Sequence, residues 1–315
     1  MGLSSEELQQ YCQQILKQRR ILNKFVILCE GPRSNSIQGR PSPQSYKRME
    51  QLPDANFYNA CVPNTWKQYR PQFFNCGDRK DVIDTYFNLL ELHNQDINNS
   101  YLNPEKLFAI VDLDNQIQNI ANEYDYKFSD TEEIFTHLYE KGKVNKENFR
   151  EHRIWVTGLI HKEAYFLIPE LQSVFDSFLN TPIYEGNKIS LEKVYLKMAD
   201  DITIDVDLQD NFAKSSHRID YCTGLDCSEI NKLCNSWKYE FKACKNELQK
   251  NELIYSLLTL KKAKSYWKEI KPPADTEIPP ARFREQLSLE IAKFYSENTS
   301  NPKYHISFLL NYLSN

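Results

Sequence analysis

Glycine is scarce in this chain, with 8 among 315 residues. The few present form neither a Walker-type loop ending in Gly-Lys-Ser/Thr nor a G-x-G-x-x-G turn, so nucleotide hydrolysis on a glycine-rich phosphate cradle is excluded. No apolar run is long enough to cross a bilayer. The opening residues, Met-Gly-Leu-Ser-Ser-Glu-Glu, lack a cationic stretch leading into an apolar one, so no secretory signal is expected. Gly2 approaches a myristoylation pattern, but Glu6 stands where Ser or Thr is needed. A large excess of either charge is also missing: the net charge is −4, which gives no global attraction to nucleic acid. Any such binding must rest on a local basic face or on metal ions. Close Cys-x2-Cys pairs are absent too. His217, Cys222, Cys227, Cys234 and Cys244 are spaced poorly for zinc, and reduced thiols are expected of a protein without a secretory signal. A cytoplasmic protein with no membrane partner follows as the expectation.

What is present is a globular composition, 41% hydrophobic and 26% charged. Four short apolar runs have strand length: Phe25–Gly31, Pro71–Gly77, Leu107–Asp112 and Arg153–Gly158. Helical patterns lie at 4–20, 44–61, from Asp78 or Asp81 to Leu90, 130–141 and 169–179. This βα alternation predicts a parallel sheet flanked by helices. Beyond residue 181 the texture becomes charged and helical, at 190–200, 205–215, 226–248 and 249–268. A proline-rich connector at 271–280 and helices at 281–296 and 302–313 follow. The expected organisation is an α/β domain over 1–180 and a mainly helical region over 181–315.

Two of the runs deliver carboxylates where they stop: Glu30 in the first, Asp112 and Asp114 in the third. Ligands of parallel sheets collect beyond the carboxyl ends of the strands. Three acids gathered there repel one another unless a divalent cation neutralises them, and Mg²⁺ or Mn²⁺ suits hard oxygen donors. Asp112 and Asp114 are two apart, which places them on one side of a strand end. Glu30 could join the same ion or act as general acid or base. The polar loop 31–45 carries Arg33 and Arg40 and no acid, so it could grip a nucleic-acid backbone without reading its sequence.

Glu30-Gly31 after one strand, Gly77 after the next and Asp112-x-Asp114 after a third resemble the Toprim domain of topoisomerases, bacterial primases and the overcoming-lysogenization-defect (OLD) nucleases. The spacing is wider than in compact relatives, and an insertion over 31–53 accounts for it. Asp54-Ala-Asn-Phe-Tyr58 resembles a segment that relatives place soon after their Glu-Gly. His161-Lys-Glu-Ala-Tyr-Phe-Leu-Ile-Pro169 is similar to an OLD-type stretch after the fourth strand, with Glu163 and Tyr165 as counterparts. Ala164 and Phe166 depart from its polar positions, and His161 stands near its usual Arg. The resemblance covers about residues 22–180.

The resemblance implies a Toprim-like α/β fold and a Mg²⁺- or Mn²⁺-dependent nuclease cleaving phosphodiester bonds, DNA ahead of RNA, with a role in defence against phage or plasmids. Glu30, Asp112, Asp114 and Lys162 would be its catalytic residues. Glu30, Asp112, Asp114 and Glu163 would be its metal ligands, and Arg33 and Arg40 its nucleic-acid contacts. The chain has no ATPase region like that of OLD proteins, so such an engine would be a separate partner chain. Two other classes stay open. A nucleotide-sugar glycosyltransferase also uses Asp-x-Asp with Mn²⁺ but has no need of Glu30. A Toprim-like module that has lost activity could serve as a scaffold in a larger complex.

Overall fold

The computed structural model describes residues 4–33, 53–66 and 68–314; Arg40 and most of the polar loop after Arg33 lie outside them. Four parallel strands form the central sheet: β1 (Val26–Cys29), β2 (Gln72–Asn75), β3 (Leu107–Val111) and β6 (Ile154–Val156), in the order β2-β1-β3-β6. All residues of β1, β3 and β6 are buried. A strand covered on both faces has no solvent side to alternate toward, which is why these segments read as unbroken apolar runs.

The flanking helices begin where capping chemistry puts them. Ser4 and Glu7 form a capping box on α1 (Ser5–Leu16), which buries Tyr11, Cys12, Ile15 and Leu16. After β2, Asp78 and Asp81 do the same for α3 (Arg79–Gln95), and α2 (Pro53–Ala60) precedes that strand. Asp130 accepts from the amides of Glu132 and Glu133 to start α4 (Thr131–Leu138).

The helix expected over 130–141 stops at Leu138. Lys141 and Gly142, with φ of 49° and 68°, turn the chain into a hairpin of β4 (Tyr139–Glu140) and β5 (Lys143–Val144). Glu185 and Gly186 make a second hairpin between β7 (Ile183–Tyr184) and β8 (Asn187–Lys188), just after α5 (Gln172–Ser177).

The rest is helical: α6 (Leu191–Asp200), α7 (Val206–Ser215), α8 (Ile230–Ala243), α9 (Glu247–Leu260), α10 (Lys264–Glu269), α11 (Pro280–Glu297) and α12 (His305–Ser314). The single helix expected over 249–268 is two helices, broken at 261–263. That break carries Lys262 to the sheet.

The helical region packs into the α/β part, and one contiguous apolar core runs through both. Polar contacts tie them at depth. Tyr295 Oη donates to the Tyr165 carbonyl at 2.7 Å, and Ile160 N–H donates to Leu258 O at 3.0 Å. His305 Nε2 lies 2.9 Å from the Gly142 carbonyl and its Nδ1 lies 2.9 Å from Tyr165 Oη. The first fixes the tautomer, so Tyr165 donates to His305. Among the described residues no helix is long and apolar enough to cross a membrane.

Candidate metal and phosphate site

Strand order locates the site. From β1 the chain continues to β2 on one side; from β3 it continues to β6 on the other. The loops leaving β1 and β3 therefore diverge and open a crevice beyond the strand ends, the switch point at which parallel sheets hold ligands. Glu30 follows β1 and Asp112 follows β3, so the two carboxylates flank this crevice. Glu30 Oε1 accepts the Asp112 N–H at 2.7 Å, which locks its side chain across the gap. The Asp112 carboxylate accepts the backbone N–H of Lys162. On the far side of Glu30, Gly31 and Gly77 exchange two backbone hydrogen bonds, at 2.8 and 3.0 Å, and clamp the loops after β1 and β2 together.

Electrostatically, this is a costly arrangement. Burial pushes the Glu30 carboxyl up to about 7; Asp114 and Asp78 add to the rise, while the Asp112 amide and Arg79 oppose it. Burial and the neighbouring charges of Glu30, Glu163 and Asp114 hold Asp112 well above the usual carboxylate range. Desolvation and like-charge repulsion both penalise the ionised acids. Glu163 behaves oppositely: burial would raise it, but His161 and Lys162 outweigh burial and hold it at about 2. His161 Nδ1 lies 3.0 Å from Glu163 Oε2, and its Nε2 accepts the Ala263 N–H at 3.0 Å, so Nδ1 bears the proton. Burial lowers the Lys162 ammonium below the ordinary lysine range against the pull of Glu163, Cys29 and Glu30.

Two cavities, of about 510 and 310 Å³, meet at these groups and share Glu30, Asp78, Asp112, Glu163 and Lys264 in their walls. Lys162 lines the smaller cavity, while Asp114, Arg79 and Lys262 line the larger one.

Asp114 lines the larger cavity with Glu30 and Asp112 and its charge raises both of their carboxyls, but it does not follow Asp112 in strand register. Strand alternation ends at Val111, and Asp114 adopts a left-handed φ of 46°. Its Oδ1 takes the Asn115 N–H at 2.8 Å and lies 2.9 Å from Lys262 Nζ. Arg33 turns toward α1 and α3. It lies 4.0 Å from Asp81 and its guanidinium sits 5.6 Å from the centre of the Tyr11 ring, so it is not brought to the carboxylates.

Several groups at the site had no motif to announce them. Arg79 donates to the carbonyls of Leu113 and Gln116, at 2.8 and 2.6 Å, and so holds the loop after β3. The fully buried Arg218 side chain pairs with Glu132 and donates to the Asp114 carbonyl at 2.8 Å. Lys262 and Asp207 come from the helical region. The only sequence signal was the basic run Lys261-Lys262-Ala263-Lys264, which looks like any solvated helix face.

The donors fit a hard divalent cation of a particular kind. Among the described residues no three Asp, Glu, His or Cys side chains form a ready metal cage. Mg²⁺ typically takes one or two carboxylates and keeps several waters. Glu30 and Asp112, oxygen donors made costly by their own repulsion, suit such a water-rich site. Compared with protein-family models, curated proteins and solved structures, the chain matches none.

Proposed function

We propose that this chain is a Toprim-type nuclease that cleaves nucleic-acid phosphodiester bonds with Mg²⁺ or Mn²⁺, DNA ahead of RNA, in defence against phage or plasmids. The observation that carries the proposal is the pairing of Glu30 and Asp112 across the switch-point crevice, with both carboxyls forced toward the neutral form by burial and by neighbouring acids. When bound there by Glu30 and Asp112, the cation supplies charge neutralisation and an activated water. Glu30 Oε1 is committed to the Asp112 amide, which leaves Oε2 to meet the cation. Asp112 is aimed by the Lys162 amide, and Lys162 lines the smaller cavity, where it can meet a phosphate oxygen. His161 and Glu163 brace this segment against the helical region.

The test is incubation of plasmid DNA, single-stranded DNA and RNA with the full chain, with and without Mg²⁺ or Mn²⁺. Cleavage should require the ion and fall at least about a hundredfold in Glu30→Ala and Asp112→Ala. Undiminished cleavage in Asp112→Ala overturns the proposal. The scaffold reading draws on one specific observation, the Lys262 ammonium already paired with Asp114. Absence of both cleavage and cation binding in the wild-type chain would favour it. The Glu30–Asp112 pairing weighs against a glycosyltransferase, which has no need of Glu30.

A further inference from the structure

We propose that Asp114 serves Lys262 rather than the metal ion, and that Lys262, so held, grips a backbone phosphate of the nucleic acid in the larger cavity. This deepens the proposed function and takes its ligand class, a phosphodiester, from that reading.

The geometry is specific. Lys262 Nζ lies 2.9 Å from Asp114 Oδ1 and 3.0 Å from Asp207 Oδ2. Asp207 is fixed in turn by Asn115 Nδ2 at 3.1 Å and Gln116 Nε2 at 3.2 Å, so the loop after β3 and α7 share one polar cluster. Asp114 Oδ1 also accepts the Asn115 amide, and both of its acceptor positions are therefore filled. A divalent ion could take Oδ1 only by displacing the ammonium, and could approach Oδ2 only beside the charge of Lys262. Lysine has three donors. Two are taken by the carboxylates, and the side chain is still 38% exposed and lines the 510 Å³ cavity beside Gln116, Gln118 and Arg79. Arg79, bonded to carbonyl oxygens, offsets the second carboxylate, so the formal charges of Asp114, Asp207, Lys262 and Arg79 cancel, and Lys80 and Lys264 line the same cavity opposite Glu30, Asp78, Asp112 and Glu163. The metal then rests on Glu30 and Asp112 alone, and the helical region contributes a substrate contact.

The test uses the full chain in three variants, Asp112→Asn, Asp114→Asn and Lys262→Met, with two readouts besides cleavage. One is Mg²⁺ affinity by calorimetric titration. The other is binding of a labelled DNA duplex by anisotropy, with Ca²⁺ in place of Mg²⁺, as a function of salt. Asp114→Asn and Lys262→Met should keep Mg²⁺ affinity within about twofold, and Lys262→Met should weaken DNA about tenfold and lower the salt slope by about one, as loss of one phosphate contact requires. Asp112→Asn should lose the Mg²⁺ affinity instead. Should Lys262→Met fail to fold, Lys262→Gln removes the same charge, keeps a polar end for Asp114 and Asp207, and should weaken DNA binding in the same direction. A tenfold loss of Mg²⁺ affinity in Asp114→Asn, or unchanged DNA binding and salt slope in Lys262→Met, overturns the inference. Cation-independent or absent cleavage by the wild-type chain would instead overturn the nuclease reading, since neither binding readout depends on turnover.

Discussion

At the scale of single residues, the acids of the crevice make a prediction about stability. A carboxyl whose folded value is raised binds more protons folded than unfolded. Its contribution is complete below the unfolded value and is lost as pH rises through the folded one. For Glu30 the window runs from about 4.5 to about 7. Burial lowers His152 and His305 to about 4, which works the other way: the unfolded imidazoles hold more protons, so stability rises with pH from about 4 to 6.5. The wild-type profile therefore mixes opposing slopes, and a substitution separates them. Glu30→Gln keeps an oxygen for the Asp112 amide and removes the charge. Without divalent ions it should stabilise the fold by about 1–3 kcal/mol at pH 8 and by much less at pH 5. Urea unfolding at both pH values measures this; a variant less stable than wild type at pH 8 would contradict the assigned repulsion. Glu30 and Asp112 were legible as candidates because each ends an apolar run. The pairing of Asp114 with Lys262 was not, because it joins side chains 148 positions apart with no motif at either end.

At the scale of elements, the strands and most helices were legible for physical reasons. Two-sided burial leaves continuous apolar runs in β1 and β3, and Ser4, Asp78 and Asp130 mark helix starts as caps. The two hairpins were not, since strands of two residues carry no periodicity; only Lys141-Gly142 and Glu185-Gly186 signalled turns. Nor was the break at 261–263, which contains neither proline nor glycine and is held by tertiary contacts, Lys261 with Asp205 and Ala263 with His161. The end of β6 illustrates how closely elements meet. A Cβ on Gly158 would fall 2.2 Å from His305 Nδ1, and that ring is already fixed by Tyr165 and Gly142. Gly158→Ala should cost about 1–3 kcal/mol by overpacking, read from the urea midpoint. Unchanged stability would mean that α12 is free to yield there.

At the scale of the whole molecule, the central sheet ends with β6 and long helices follow from residue 191, but one core runs through both. Phe166 stacks edge-on to Phe57 and packs on Trp267, and Phe57 meets Tyr295. A fragment ending at residue 180 should accordingly bind the dye ANS and lack a near-UV signal, because it exposes the surface that α10 and α11 cover; a native-like near-UV spectrum would contradict a shared core. The reading as a whole rests on carboxylates from two neighbouring strands meeting at one cation. Calorimetric titration of Mg²⁺ into the full chain at pH 8 addresses that most directly, with Glu30→Gln and Asp112→Asn alongside. The result expected is one ion per chain, with affinity reduced at least about tenfold in each variant; binding unaltered by Asp112→Asn, or no binding to the wild-type chain, would contradict it.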